Sequence, residues 1–136
     1  MNDREAIFVE SFVQRGRRER VLYELGSSKK RQDFFEKLCH NFLEILEPKF
    51  MLPIERAYSE PEDIYSLLRG RGAQGSGSIL SFYSELDGLE MPLDEALKQV
   101  VGRGFPSIIC CLQGRLAYFE AEQVAGPPPR YILARP

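Results

Sequence analysis

The chain has 136 residues, 43% hydrophobic and 28% charged, a balance that fits one folded domain with its own core and excludes a fibrous or wholly disordered polypeptide. No apolar run approaches the roughly 20 residues that cross a bilayer. The opening MNDREAIFVESF lacks the basic start and unbroken apolar core of a signal peptide, so the expected localisation is cytoplasmic. Three cysteines, two of them adjacent at Cys110 and Cys111, suit a reducing compartment rather than a disulfide framework.

Formal net charge is −2, but residues 1–31 carry eight Lys or Arg against five acids, leaving the head at +3 and the remainder at −5. An asymmetry of this kind marks either a polyanion-binding face or an ordinary solvated surface.

In chain order, Asn2 with Glu5 resembles a capping box, and Ile7, Phe8, Val9, Phe12 and Val13 load one face of a first helix reaching about Gln14. Gly16 interrupts, and a short second helix, or a continuation of the first, over 17–25 offers Val21, Leu22 and Leu25 before Gly26 closes it. Ser27 or Ser28 is the expected cap of a third helix whose stripe is Phe35, Leu38, Cys39, Phe42, Leu43, Ile45 and Leu46, ended by Pro48. Lys29, Lys30 and Arg31 at its start oppose the helix dipole, so they require solvent screening, a bound anion or an acidic neighbour.

Residues 49–58 read as an extended connection around Pro53. Ser59 and Glu62 suggest a second capping box, with Pro61 opening a short helix to about Arg69 that presents Ile64, Leu67 and Leu68. The stretch RGRGAQGSGS over 69–78 reads as a mobile loop that divides a helical half, about 1–69, from a sheet half, 79–136. A strand over 79–85, a turn at Asp87-Gly88 and a helix over 92–101 follow. A dense apolar run over 107–112, the Gln113-Gly114 turn and a second run over 115–120 read as a hairpin. Its first strand is central, because Ile108, Cys110 and Leu112 face one way and Ile109 and Cys111 the other. A last strand over 131–134 follows the stiff Pro127-Pro128-Pro129 run.

Few constellations carry chemistry. Gly70, Gly72 and Gly75 match G-x-G-x-x-G, but the fingerprint belongs between a strand and a helix, and here the order is inverted; Ser76 stands where a P-loop needs Lys. The loop amides with Arg69 and Arg71 nonetheless form a conceivable phosphate cradle. Together with Arg15, Arg17, Arg18, Arg20, Lys29, Lys30 and Arg31 they make a candidate anion or nucleic-acid surface, provided the fold brings them to one face. Cys110 and Cys111 on opposite faces of a strand cannot easily share a metal, and His40, the single histidine, has no nucleophile motif near it, so no metal, cofactor or catalytic set is expected. Tyr83, Asp87, Arg115 and Tyr118 are candidates for a shared pocket near a sheet end.

These readings predict a single α+β domain: N-terminal helices packed on one face of a small, mainly antiparallel C-terminal sheet with one crossover helix. The leading functional expectation is a small non-enzymatic interaction or regulatory protein with another protein as partner, for which a bacterial accessory or immunity-type binder fits. The alternatives are a nucleic-acid or phosphate-ligand binder using the basic head and the Arg-Gly loop, and a small hydrolase or transferase around Tyr83, Asp87 and Arg115.

Overall fold

The computed structural model describes residues 2–126 and 128–136; Pro127, the first of the three consecutive prolines, lies outside the described residues. The helices and sheet form the α+β arrangement expected. Asn2 caps α1 (Asp3–Phe12) by accepting the Glu5 amide at 2.9 Å. The reciprocal half of the capping box does not form, because the Glu5 carboxylate is bound by Arg31 instead. After a single 3₁₀ turn, α2 (Arg18–Gly26) runs back along α1.

A turn over 27–30 leads into α3 (Arg31–Ile45), with the Lys30 and Arg31 amides bonded to the Ser27 carbonyl, so neither serine side chain caps this helix. The helix departs from regular geometry at Asn41. Beyond it Leu43 is 55% exposed, although the periodicity places it in the stripe, while Ile45 and Leu46 stay buried.

The stretch read as an extended connection contributes β1 (Met51–Pro53) to the sheet. In α4 (Pro61–Gly70) the cap falls one residue later than expected. Proline is favoured at the first helical position, which makes Glu60 the N-cap and Asp63 its capping-box partner.

The remaining elements are β2 (Ser76–Ser81), β3 (Glu90–Pro92), α5 (Leu93–Val100), β4 (Ser107–Leu112), β5 (Leu116–Glu120) and β6 (Arg130–Ala134). The sheet is antiparallel in the order β1-β6-β5-β4-β2-β3. The doubly apolar β4 and its hairpin partner β5 lie at the centre, as the alternation of Ile108 and Ile109 requires. Leu112 pairs with Leu116 and the register shifts beside Cys111, so the hairpin closes through 113–115 with a bulge instead of a two-residue turn. Gly114 supplies the positive φ, +74°.

Successive strand residues face two separate cores. Leu80, Ile108, Ala117, Phe119 and Leu133 pack under α1, α2 and α3. Ile79, Ile109, Cys111, Leu116, Tyr118 and Ile132 pack under α4 and α5. The fourth helix, which belongs to the helical half by sequence, therefore joins the crossover helix on the opposite face from α1–α3. Both borders of the sheet, β1 and β3, are three residues long and end in proline, at Pro53 and Pro92.

The supposed mobile loop is shorter than its composition suggests, because Ser76, Gly77 and Ser78 are strand. Gly77 is a packing device: a Cβ there would stand 2.6 Å from Ile109 Cγ2 and 3.3 Å from Leu93 Cδ1. Replacing Gly77 by Ala should therefore destabilise the protein by about 1–3 kcal/mol. Gly26→Ala, at a helix end with open space around it, should change stability by less than about 1 kcal/mol. Urea denaturation midpoints of the two variants provide the comparison.

Candidate functional site

The four residues proposed to share a pocket are dispersed by the fold. Tyr118 points into the core under α4 and α5, fully buried, and donates to Glu120 Oε1 at 2.9 Å. Tyr83 lies in the loop after β2, edge-on to Phe105 and under the Arg103 guanidinium. Arg115 is exposed in the hairpin turn at the other end of the sheet. Asp87 is held by Arg31.

Arg31 joins four segments. Its Nη1 and Nη2 donate to both Glu5 oxygens at 2.9 and 2.6 Å, Nε and Nη2 to both Asp87 oxygens at 2.5 and 3.0 Å, and Nη1 also to the Leu25 carbonyl at 3.0 Å. Asp87 additionally accepts the Ser81 amide at 3.1 Å. The Glu5 hydrogen bonds, reinforced by Asp87 and opposed by burial, hold the guanidinium above the usual arginine range. The acidic neighbour that a cation at the start of α3 requires is thus supplied twice over.

A second closed cluster centres on Glu120, fully buried. Its carboxylate accepts from the Tyr118 hydroxyl, from Arg130 Nε at 3.0 Å and from the Gly102 amide at 3.1 Å, the last fixing the end of α5. Burial, followed by the Glu120 charge, raises Tyr118 well above the ordinary phenol range. The thiols are likewise suppressed as nucleophiles: burial pushes Cys39 up to about 11 and Cys110 up to about 12, and raises Cys111 as well. Among the described residues no group of three or more His, Cys, Asp and Glu is placed to hold a metal ion. Nor is any helix there long and apolar enough to cross a membrane.

Two open depressions contain none of these groups. One, of about 430 Å³, lies beside α2 at Gly16, Glu19, Arg20 and Tyr23. The other, of about 300 Å³, lies between α4 and α5 at Pro61, Glu62, Tyr65, Ser66, Asp94 and Lys98.

The feature that does concentrate unengaged chemistry is one end of the sheet. The strand register places the starts of β1, β2 and β5 and the ends of β3, β4 and β6 together. From one layer, the C-terminus of α1 reaches this end: a Cβ on Gly114 would stand 3.2 Å from Ser11 Oγ, and Arg135 Nη1 donates to the Ser11 carbonyl at 3.1 Å. The Glu47 amide bonds the Phe12 carbonyl at 2.8 Å, which brings the connection from α3 to β1 alongside. From the other layer, the loop after α4 arrives with Gly72 beside Leu112.

The segments meeting there, over 13–17, 46–50, 71–75, 113–115 and 135–136, carry Arg15, Arg17, Lys49, Arg71, Arg115 and Arg135, with Arg69 in the last turn of α4. Glu47 is the one acid in these segments, and Asp94 and Glu95 stand at the same end where β3 runs directly into α5. These cations are exposed and have no ion-pair partner among the described residues. Connections at the opposite end carry Lys29, Lys30, Arg56 and Arg103 against Glu55, Glu60, Glu85, Asp87 and Glu122.

The candidate anion-binding set therefore divides. Arg17, Arg69 and Arg71 lie at the basic end, with Arg18 just behind them bonding the Val13 carbonyl. Lys29 and Lys30 lie at the opposite end, and Arg31 is consumed internally. Arg115 joins the basic end, and Lys49 and Arg135 complete it without any local sequence signal. Helix dipoles account for part of this placement, since Arg15, Lys49 and Arg69 follow or close the C-termini of α1, α3 and α4. They do not account for Arg17, which precedes the N-terminus of α2, or for Arg115 in a turn.

No family model, curated protein or solved structure matches this chain.

Arg31→Met should cost about 3–5 kcal/mol, because it leaves Glu5 and Asp87 facing each other, largely buried, without a cation. Arg31→Lys should recover only part of the loss, since an ammonium cannot reproduce the double fork. Equilibrium denaturation in urea measures both. A pH series tests the buried acids. Cys110 holds its proton to about 12 in the fold against an ordinary thiol value of 9.0, so the folded state binds more protons than the unfolded state above that ordinary value. Stability should consequently fall as pH rises from about 9 towards 12, and the fall should be shallower in a Cys110→Ser, Tyr118→Phe variant.

Proposed function

We propose that this protein is a small non-enzymatic binding protein whose working surface is the basic end of its sheet and whose partner presents negative charge there. The observation that supports this reading is the convergence of exposed, unpaired cations from both helical layers and from the central hairpin onto one end of a chain whose net charge is negative. The fold needs a cation at neither Arg17 nor Arg115, and exposed arginines held by short, rigid connections suit recognition of carboxylate or phosphate groups. The buried ionisable groups, by contrast, are spent on holding elements together. Tyr83 and Asp87 lie at the end of the sheet opposite Arg115, which weighs against a hydrolase or transferase centred on these three. We place the protein in the cytoplasm, a reading supported by three free cysteines raised out of the reactive range.

Retention on a heparin column tests the surface by position rather than by net charge. One triple variant, Arg17→Glu, Arg71→Glu and Arg115→Glu, reverses the basic end; another, Lys29→Glu, Arg56→Glu and Arg103→Glu, makes the same change in net charge at the other end. The first should elute at clearly lower salt than the wild type, with the salt dependence of binding reduced by about one charge per lost contact. The second should elute close to the wild type. Equal shifts in both would defeat the proposal.

A further inference from the structure

We infer that the partner is a protein, and that the part of it received here is an acidic segment rich in Asp or Glu, laid across the end of the sheet. This rests on the reading of the basic end as the binding surface and adds the chemistry of what it binds.

Three observations separate an acidic peptide from a nucleic acid. The first concerns aromatic rings. Recognition of single-stranded nucleic acid draws much of its energy from bases stacked on exposed rings, but the rings at this end already carry cations of the chain itself. Phe50 has Lys49 Nζ at 5.2 Å and the Arg135 guanidinium at 4.7 Å from its centroid, and Tyr65 has Arg69 at 5.9 Å. A base would have to displace these contacts before stacking.

The second observation is the width of the basic surface. It is a stripe along the strand ends, with exposed Glu10 near the end of α1 and Glu19 in the first turn of α2 on one layer, and exposed Asp94 and Glu95 on the other, where β3 runs into α5 beyond the β2 end of the stripe. A duplex, with phosphates spread over both sides of the stripe, would bring some of them against these carboxylates. A single acidic strand can lie between them. From β1 to β2 the stripe crosses four inter-strand spacings, roughly 19 Å, which an extended segment of about six residues spans.

The third is the range of the field. The net charge is −2, so a long polyanion meets repulsion from the rest of the molecule. A short segment held within a Debye length, about 8 Å at physiological salt, feels chiefly the local arginines. Their planar forks match carboxylates two bonds at a time.

Fluorescence anisotropy with the intact protein tests this inference, using a short peptide alternating Glu with Ser, its Gln-for-Glu counterpart, and a single-stranded oligothymidylate and a DNA duplex of matched charge. The Glu peptide should bind about tenfold or more tightly than the Gln peptide and more tightly than either nucleic acid. The triple variant at the basic end should lose that preference, while the triple variant at the opposite end keeps it, and circular dichroism of both confirms that they are folded. Tighter binding of either nucleic acid overturns the inference and leaves the basic end as the binding surface. The same holds if heparin retention depends on the basic end but the Glu peptide binds no better than the Gln peptide. If neither acidic peptide nor nucleic acid binds and heparin retention ignores the position of the reversed charges, the underlying reading fails as well.

Discussion

The double fork made by Arg31 is the interaction on which the arrangement of elements most depends. One guanidinium fixes the start of α3 to α1 through Glu5, to the end of α2 through the Leu25 carbonyl, and to the loop between β2 and β3 through Asp87. Without it two carboxylates approach one another in partial burial, where like charges are poorly screened. The α1–α3 layer and the sheet thus meet around a polar joint as well as an apolar core. The Glu120 cluster is its counterpart on the other side, tying β5, β6 and the end of α5 together. Both clusters nearly saturate their members with hydrogen bonds, which is what makes buried charge tolerable.

How much of this was legible depended on whether the governing contact was local. The alternation of Ile108 and Cys110 with Ile109 and Cys111 marks a central strand with two buried faces, since side-chain direction in a strand follows from position alone; Leu112, expected on the Ile108 face, packs instead with Cys111 on the α4–α5 side, because the bulge breaks the alternation there. The three-residue spacing of Asn2 and Glu5 suggests a reciprocal capping box, yet Glu5 serves a partner twenty-six residues away, which local spacing does not show. Gly77 looked like linker composition, and only the close approach of Ile109 explains why no side chain fits there. Asp87 was recognised as a turn residue, and it is one; its second role depends on the distant Arg31.

The same distinction governs the candidate site. Lys29, Lys30 and Arg31 form an unbroken basic run in the sequence, yet the fold sends them away from Arg17 and engages Arg31 internally. Lys49 and Arg135 are isolated cations in ordinary connections, with no pattern around them. They become part of a surface only once antiparallel register sets the starts of three strands beside the ends of the three others. A topology, even a rough one, is the signal that finds them: every loop at one end carries a cation, the direct β3–α5 junction excepted, and the connections at the other end are mixed.

The short, proline-ended borders of the sheet have a bearing on how this molecule behaves in company. An open edge with free amides and carbonyls is a template onto which a further strand, from a copy of the chain or from a stranger, can grow. Here each border offers only three residues, and proline removes one donor from each. Lateral growth is therefore blocked in both directions, and a crowded solution of this protein has little tendency to polymerise through its sheet. Contacts with other molecules thus fall to side chains rather than to backbone pairing at the sheet borders.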